Sequence, residues 1–109
     1  MNRIRIFVVS SQSMFGRGIE SLLREETTLD IVGQETDINR AIERIGRLRP
    51  DVVIVDHDES DLEIAHILRV SPNIKVIGLS LQNNNLYVYQ ARQRITRSVE
   101  DLLQAMTSS

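Results

Sequence analysis

The sequence predicts a doubly wound α/β domain, on three observations. Short apolar runs rich in β-branched residues recur along the chain, and between them lie segments whose apolar residues return every three or four positions. The chain is 109 residues long with 41% apolar residues, which suits one core and leaves no room for a second. Alternating strand and helix signals of this kind specify a largely parallel sheet covered on both faces. Residues 1–109 are therefore expected to form a single domain.

The elements follow in order. Ile4 to Val9 is the first buried-strand run and stops on Ser10-Ser11. Phe15, Ile19, Leu22 and Leu23 form a helical stripe, and serine being a good cap, Ser10 and Ser11 are expected to hydrogen-bond the first turn of that helix. Leu29 to Val32 is the second strand. Ile38, Ala41, Ile42, Ile45 and Leu48 make a second helical stripe, which Pro50 ends because proline disfavours helical geometry in the residue before it. Val52 to Val55 is a third strand, stopping on Asp56. A third helix is expected over Ser60 to Val70, with Ser60 as N-cap and Pro72 just beyond its end. Ile74 to Leu81 is the fourth strand, and Asn83-Asn84-Asn85 reads as a turn. A last helix begins near Ser98, with Glu100 and Asp101 in its first turn and Val99, Leu102, Leu103 and Met106 as its buried face.

Charge and composition narrow the function. The formal net charge is -2 with 26% charged residues, which gives no electrostatic footprint for nucleic acid or an anionic membrane. The absence of cysteine excludes disulfides, thiolate metal sites and a cysteine nucleophile, and fits a reducing compartment. The apolar run after Met1 is too short for a signal-peptide core or a membrane span, so a soluble cytoplasmic protein is expected. No serine is flanked by a histidine and an acid at recognisable spacing, so the chain is not read as an enzyme.

With right-handed crossovers, the functional crevice of such a sheet lies at the carboxyl ends of its strands. Ser10, Ser11, Asp56 and Ser80 all fall at such ends. Here the segments Ile4 to Val9, Leu29 to Gly33, Leu48 to Asp56 and Lys75 to Ser80 resemble the receiver domain of two-component response regulators, over about residues 3 to 81 and again at the final helix. The resemblance implies a flavodoxin-like five-stranded sheet of order 2-1-3-4-5. It also implies that Asp56 stands at the phosphoacceptor position, Ser80 at the switch position, and Ser10 and Ser11 where the family carries a magnesium-binding acidic pair.

The chain departs from that family pattern at several points. Ser10-Ser11 is not acidic, and magnesium is a hard ion held by carboxylates. The only lysine, Lys75, opens strand four, whereas the family places one at the end of strand five; Arg94 or Arg97 would have to approach instead, and guanidinium does not replace ammonium at a tight site. After Asp56 come His57, Asp58, Glu59, Ser60 and Asp61, without the family's Met-Pro turn, so like charges crowd the acceptor. Residues 82–98 are too few for an ordinary fourth helix plus a fifth strand. The expectation is that the fourth helix is missing, replaced by a strand at Leu86 to Tyr89 and a hairpin-like return through Arg94 to Thr96; a helix over Asn85 to Arg94 is disfavoured by its Tyr-Val-Tyr run.

Three function classes follow. The first is an atypical receiver that signals by protein association, homodimerising through the rebuilt 86–96 segment or the last helix, with no metal or other cofactor and no regulated phosphorylation. Tyr87 and Tyr89, on one strand face, are its candidate aromatic patch, and Arg92, Arg94 and Arg97 a cationic cluster for an acidic partner or phosphate, against the plainer reading of a solvated face. The alternative is a conventional phosphoacceptor at Asp56, with magnesium ligands supplied by Asp58, Glu59 or Asp61. The plain reading of Asp56 is a carboxylate capping a loop, of Ser80 a solvent-facing hydroxyl, of His57 a solvated loop residue, and of His66 a surface or boundary residue. The third class is a small-molecule binder at the same crevice, disfavoured because Ser10 to Gly16 lacks the spacing of a phosphate loop. Direct DNA binding is not expected, since the chain ends before a helix-turn-helix could follow.

Overall fold

Four β-branched runs and a hairpin build one sheet. The computed structural model describes residues 3–56, 61–80, 82–83, 85–90, 93–98 and 106. In chain order these form β1 (Ile4–Val9), α1 (Ser13–Leu23), β2 (Leu29–Glu35), α2 (Ile38–Leu48), β3 (Val52–Asp56), α3 (Asp61–Val70), β4 (Lys75–Leu79), β5 (Asn85–Gln90) and β6 (Gln93–Ser98). The sheet order is β2-β1-β3-β4-β5-β6. The expected 2-1-3-4-5 order is present, with a sixth strand added at the edge.

The parallel rhythm stops at β4. β1 pairs in parallel with β2 and β3, and β3 with β4, but β5 runs antiparallel to β4 and β6 antiparallel to β5. A parallel pair needs a crossover of a dozen or more residues, whereas antiparallel strands join through a short turn. Only residues 80–84 separate β4 from β5, so no crossover helix fits and reversal is the geometry available. The hairpin expected at 86–89 and 94–96 lies inside β5 and β6.

Both sheet faces are apolar. On one, Ile6, Val8, Val52, Ile54, Ile77, Leu79, Leu86 and Val88 pack with Phe15, Ile19 and Leu23 of α1 and with Met106. On the other, Phe7, Val9, Val53, Val55, Val76 and Tyr89 pack with Ala41 and Ile45 of α2 and Ile64 and Ile67 of α3. Each fully buried side chain of this size contributes roughly 1.5–3 kcal/mol. Leu22 departs from the expected α1 stripe: it is 50% exposed, one position before Leu23 of the buried row Phe15, Ile19 and Leu23. Met106 is helical and buried as expected, while Val99, Glu100, Asp101, Leu102 and Leu103 lie outside the described residues. Ser60, the expected cap of α3, lies outside them too.

β2 runs past its expected end at Val32. The β1–β2 register slips between Ile6 and Phe7, which pair with Ile31 and Gly33, so Val32 is the extra residue of a bulge. The Arg44 guanidinium lies over the Phe7 ring at 5.2 Å and donates to the Gln34 carbonyl at 2.8 Å. A Cβ at position 33 would stand 2.7 Å from Phe7 Cε2 and 3.0 Å from Arg44 Nη2, so this contact requires glycine.

α2 ends at Leu48, two residues before Pro50. Arg49 takes the left-handed conformation at φ 49°, ψ 59°, and its N–H donates to Ile45 O. Arg5 completes this end: its Nη1 donates to the carbonyls of Leu48 at 2.5 Å and Arg49 at 3.1 Å.

Candidate functional site

The strand carboxyl ends converge as the sequence requires. Val9 is level with Val55 and with Glu35, and Asp56 is level with Leu79. Ser10, Asp56 and Ser80 therefore stand at the ends of three adjacent strands, with Glu35 at the end of a fourth.

Each of these residues is held differently. Ser10 is buried; its N–H donates to Glu35 O at 3.1 Å, and its Oγ accepts the Gln12 N–H at 3.1 Å. The N-cap of α1 is Gln12 rather than either serine, so Ser10 bonds the residue before the helix and Ser11 is exposed. Asp56 is half-buried at the end of β3. Ser80 is 0% exposed, not the solvent-facing hydroxyl that a strand end suggests. Its N–H donates to Asn85 O at 3.0 Å and its Oγ accepts the Asn83 N–H at 3.4 Å, so both groups help close the β4–β5 turn. Asn83 Oδ1 accepts the Asn85 N–H at 3.1 Å, the local bonding that suits asparagine to turns.

Nothing in the sequence marks Glu35, because the apolar run of β2 stops at Val32. Its Oε2 accepts the N–H of Thr36 at 3.0 Å and of Asp37 at 3.4 Å, and Oε1 lies 3.5 Å from Arg44. Burial alone would raise its pKa, but the N–H groups of Asp37 and Thr36, with Arg40 and Arg44, outweigh burial and hold it below the ordinary 4.5. This carboxylate organises the start of α2. Beside it, a cavity of about 150 Å³ is lined by Val8, Ser10, Gln12, Gly16, Gln34, Glu35 and Thr36. Ligand pockets run to about 300–1,000 Å³, so this cavity suits a few waters better than a nucleotide or metabolite.

The magnesium ion that a receiver fold implies is not matched by the described donors. Ser10 and Ser11 offer hydroxyls where acids are needed, Glu35 is engaged, and among the described residues no group of three or more His, Asp or Glu is placed to hold a metal ion. His57, Asp58 and Glu59 lie outside the described residues, as does Arg92. Lys75 is level with Val52 at the far end of β3, four residues or roughly 13 Å from the level of Asp56. Burial pulls its ammonium below the ordinary 10.5. β6, which carries Arg94 and Arg97, is three strands from β3, roughly 14 Å across the sheet. His66 is half-buried on α3, a boundary residue as expected.

The aromatic patch is corrected by the structure. Tyr89 is buried among Val76, Ile64 and Ile67, and Tyr87 is partly buried against the same cluster, on the α2/α3 side of the sheet. The two tyrosines share a face, but that face is core.

Comparison with known proteins agrees with this arrangement. No family model matches the chain. The transcriptional regulatory protein DegU of Brevibacillus brevis is 24% identical over 91 residues, 80% of this chain and 39% of DegU. The DNA-binding transcriptional activator DevR/DosR of Mycobacterium tuberculosis is 32% identical over 81 residues, 71% of this chain and 37% of that protein. The isolated receiver domain of RcsB from Salmonella enterica serovar Typhimurium has the same fold, with a TM-score of 0.65 at 23% identity over 76% of this chain and 65% of that one. The chain is a response-regulator receiver domain. This receiver domain spans about two fifths of the length of those two curated relatives. Among its described residues, no helix is long and apolar enough to cross a membrane.

Proposed function

We propose that this receiver domain is an atypical, non-enzymatic signalling module of the cytoplasm that acts by protein association, without magnesium-dependent phosphorylation of Asp56. The observation that carries the reading is the commitment of Ser80 to the β4–β5 turn. A switch hydroxyl has to move toward a new phosphoryl group and carry its loop with it, which calls for a segment with two accessible arrangements. Here the segment is a tight turn between antiparallel strands, with Ser80 buried at its base. Ser10 and Ser11 in place of an acidic pair support the same reading from the metal side. Asp56 then serves as a strand-end carboxylate, no cofactor is required, and the output is carried by a protein partner rather than by direct contact with nucleic acid.

The test is the intact mass of the chain after incubation with magnesium and acetyl phosphate, alongside Asp56→Asn. No mass gain in either protein is the expected result. A gain of one phosphoryl group in wild type alone would overturn this reading and establish the conventional phosphoacceptor, with its metal ligands to be sought among Asp58, Glu59 and Asp61.

A further inference from the structure

We propose that this chain associates with further copies of itself head to tail, the acidic end that carries Asp56 seating on a basic groove at the opposite end of the sheet. The proposal rests on the association reading above and names the partner as a second copy.

The groove lies between the C-terminal ends of α2 and α3 and measures about 430 Å³, ample for a side chain from another molecule. Its apolar lining includes the buried Ile45, Pro50 and Ile74. Val70, in the same lining, is 48% exposed. Nothing lies within 4 Å of where a Cβ would stand on Gly46, so the groove is open on that side. Three exposed arginines stand at the rim: Arg49 lines it, Arg69 occupies the last turn of α3, and Arg47, 3.9 Å from Glu43, occupies the last turn of α2. The lining carboxylate, Asp51, accepts the Arg5 N–H at 2.8 Å.

The other end of the sheet supplies the complement. Asp56 ends β3, Asp37 precedes α2 and Asp61 opens α3. Of the cations there, Arg40 lies 3.9 Å from Asp37 and Arg17 lies a turn beyond Met14 along α1. Met14 itself, in the first turn of α1, is 77% exposed, more than the other exposed large apolar residues, Leu22 and Val70. Methionine is flexible and fills irregular apolar gaps. One end thus carries an exposed apolar side chain beside strand and helix ends that bear acids, and the other an apolar hole with arginines at its rim. The two patches differ and lie at opposite ends of the strands, so the contact is heterologous and propagates instead of closing as a two-fold pair. Nucleic acid on the arginine rim would leave the apolar floor and Met14 uncovered. An acidic peptide from another protein would leave Met14 uncovered.

The test is sedimentation velocity of the full chain over a concentration series. At low salt the weight-average mass is expected to rise with concentration above the 12.4 kDa monomer, and at high salt to return toward it. Met14→Glu blocks the knob and Val70→Glu blocks the groove; both positions are exposed, and circular dichroism checks that each variant folds. Each variant alone is expected to stay monomeric, and an equimolar mixture to form a 1:1 pair and nothing larger, because each retains one intact end. A monomeric wild type at every concentration and salt, or a mixture that stays monomeric, overturns the proposal. So does a monomeric wild type that binds an oligoglutamate peptide or a short DNA duplex with Val70→Glu abolishing it, which assigns the groove to another occupant. The association reading fails separately, through a phosphoryl gain at Asp56 in the mass experiment.

Discussion

Ser80 donates its N–H to the carbonyl of Asn85 at 3.0 Å, so the chain leaving β4 turns back on itself within a few residues. The Ser80 hydroxyl, fully buried, accepts the Asn83 N–H across the same turn. Ser80→Ala is therefore expected to act on stability. At 3.4 Å the bond is long, and Asn83 is exposed enough for water to replace its partner, so the loss should be about 0.5–1 kcal/mol in urea denaturation. A variant as stable as wild type would sink the idea that this hydroxyl holds the turn.

Gly33 sits where Phe7 and Arg44 meet. Its substitution by alanine forces a Cβ to 2.7 Å from a ring that is fully buried and cannot retreat, while the flexible Arg44 can move. Overpacking of this kind costs roughly 1–3 kcal/mol. Gly33→Ala is expected to lower the urea midpoint accordingly, and pairing it with Arg44→Ala should recover only part of the loss, because the Phe7 clash remains. Full recovery in the double variant would place the clash on the arginine instead.

These features show what a single sequence encodes and what it leaves open. The runs Ile4 to Val9 and Val52 to Val55 are apolar without alternation, and both became central strands packed on two faces. The direction of β5 was not legible, because the period of a strand says nothing about its sense; the short interval after β4 decided it. Tyr87 and Tyr89 were placed on one face by alternation, but Leu86 and Val88 made the opposite face equally apolar, so hydrophobicity did not choose which side met the core. The end of β2 was missed because Gly33, Gln34 and Glu35 are poor strand formers that pairing with β1 nonetheless holds extended. At the site, Asp56 and Ser80 were placed by strand ends alone, whereas the burial of Ser80 depended on a turn whose geometry is tertiary.

The Glu35 carboxylate ties β2 to the start of α2, and its pKa is held below the ordinary 4.5. A depressed carboxylate contributes stability that is fully present above the unfolded value and is lost as pH falls through the lower folded value. Glu35→Gln is thus expected to be less stable than wild type at pH 7, with the gap between the two narrowing as pH drops below 4.5. Urea midpoints for both proteins from pH 7 to pH 3 test this. A gap that stays constant with pH would mean that packing, and not ionisation, carries the effect of Glu35.

Arg49 joins local strain to the proposed contact. It ends α2 at φ 49°, a region that a side chain disfavours and glycine accepts readily, and its side chain lines the groove between α2 and α3. Arg49→Gly relieves the backbone at a C-cap, against the greater freedom that glycine gives the unfolded chain, for an expected net gain of about 0.5–1 kcal/mol. The same substitution removes one cation from the groove rim. Stability in urea should therefore rise while the concentration dependence of sedimentation weakens, a divergence that general loosening of the fold cannot produce. If the variant is more stable and associates as strongly as wild type, Arg49 is a helix terminus and no part of the contact.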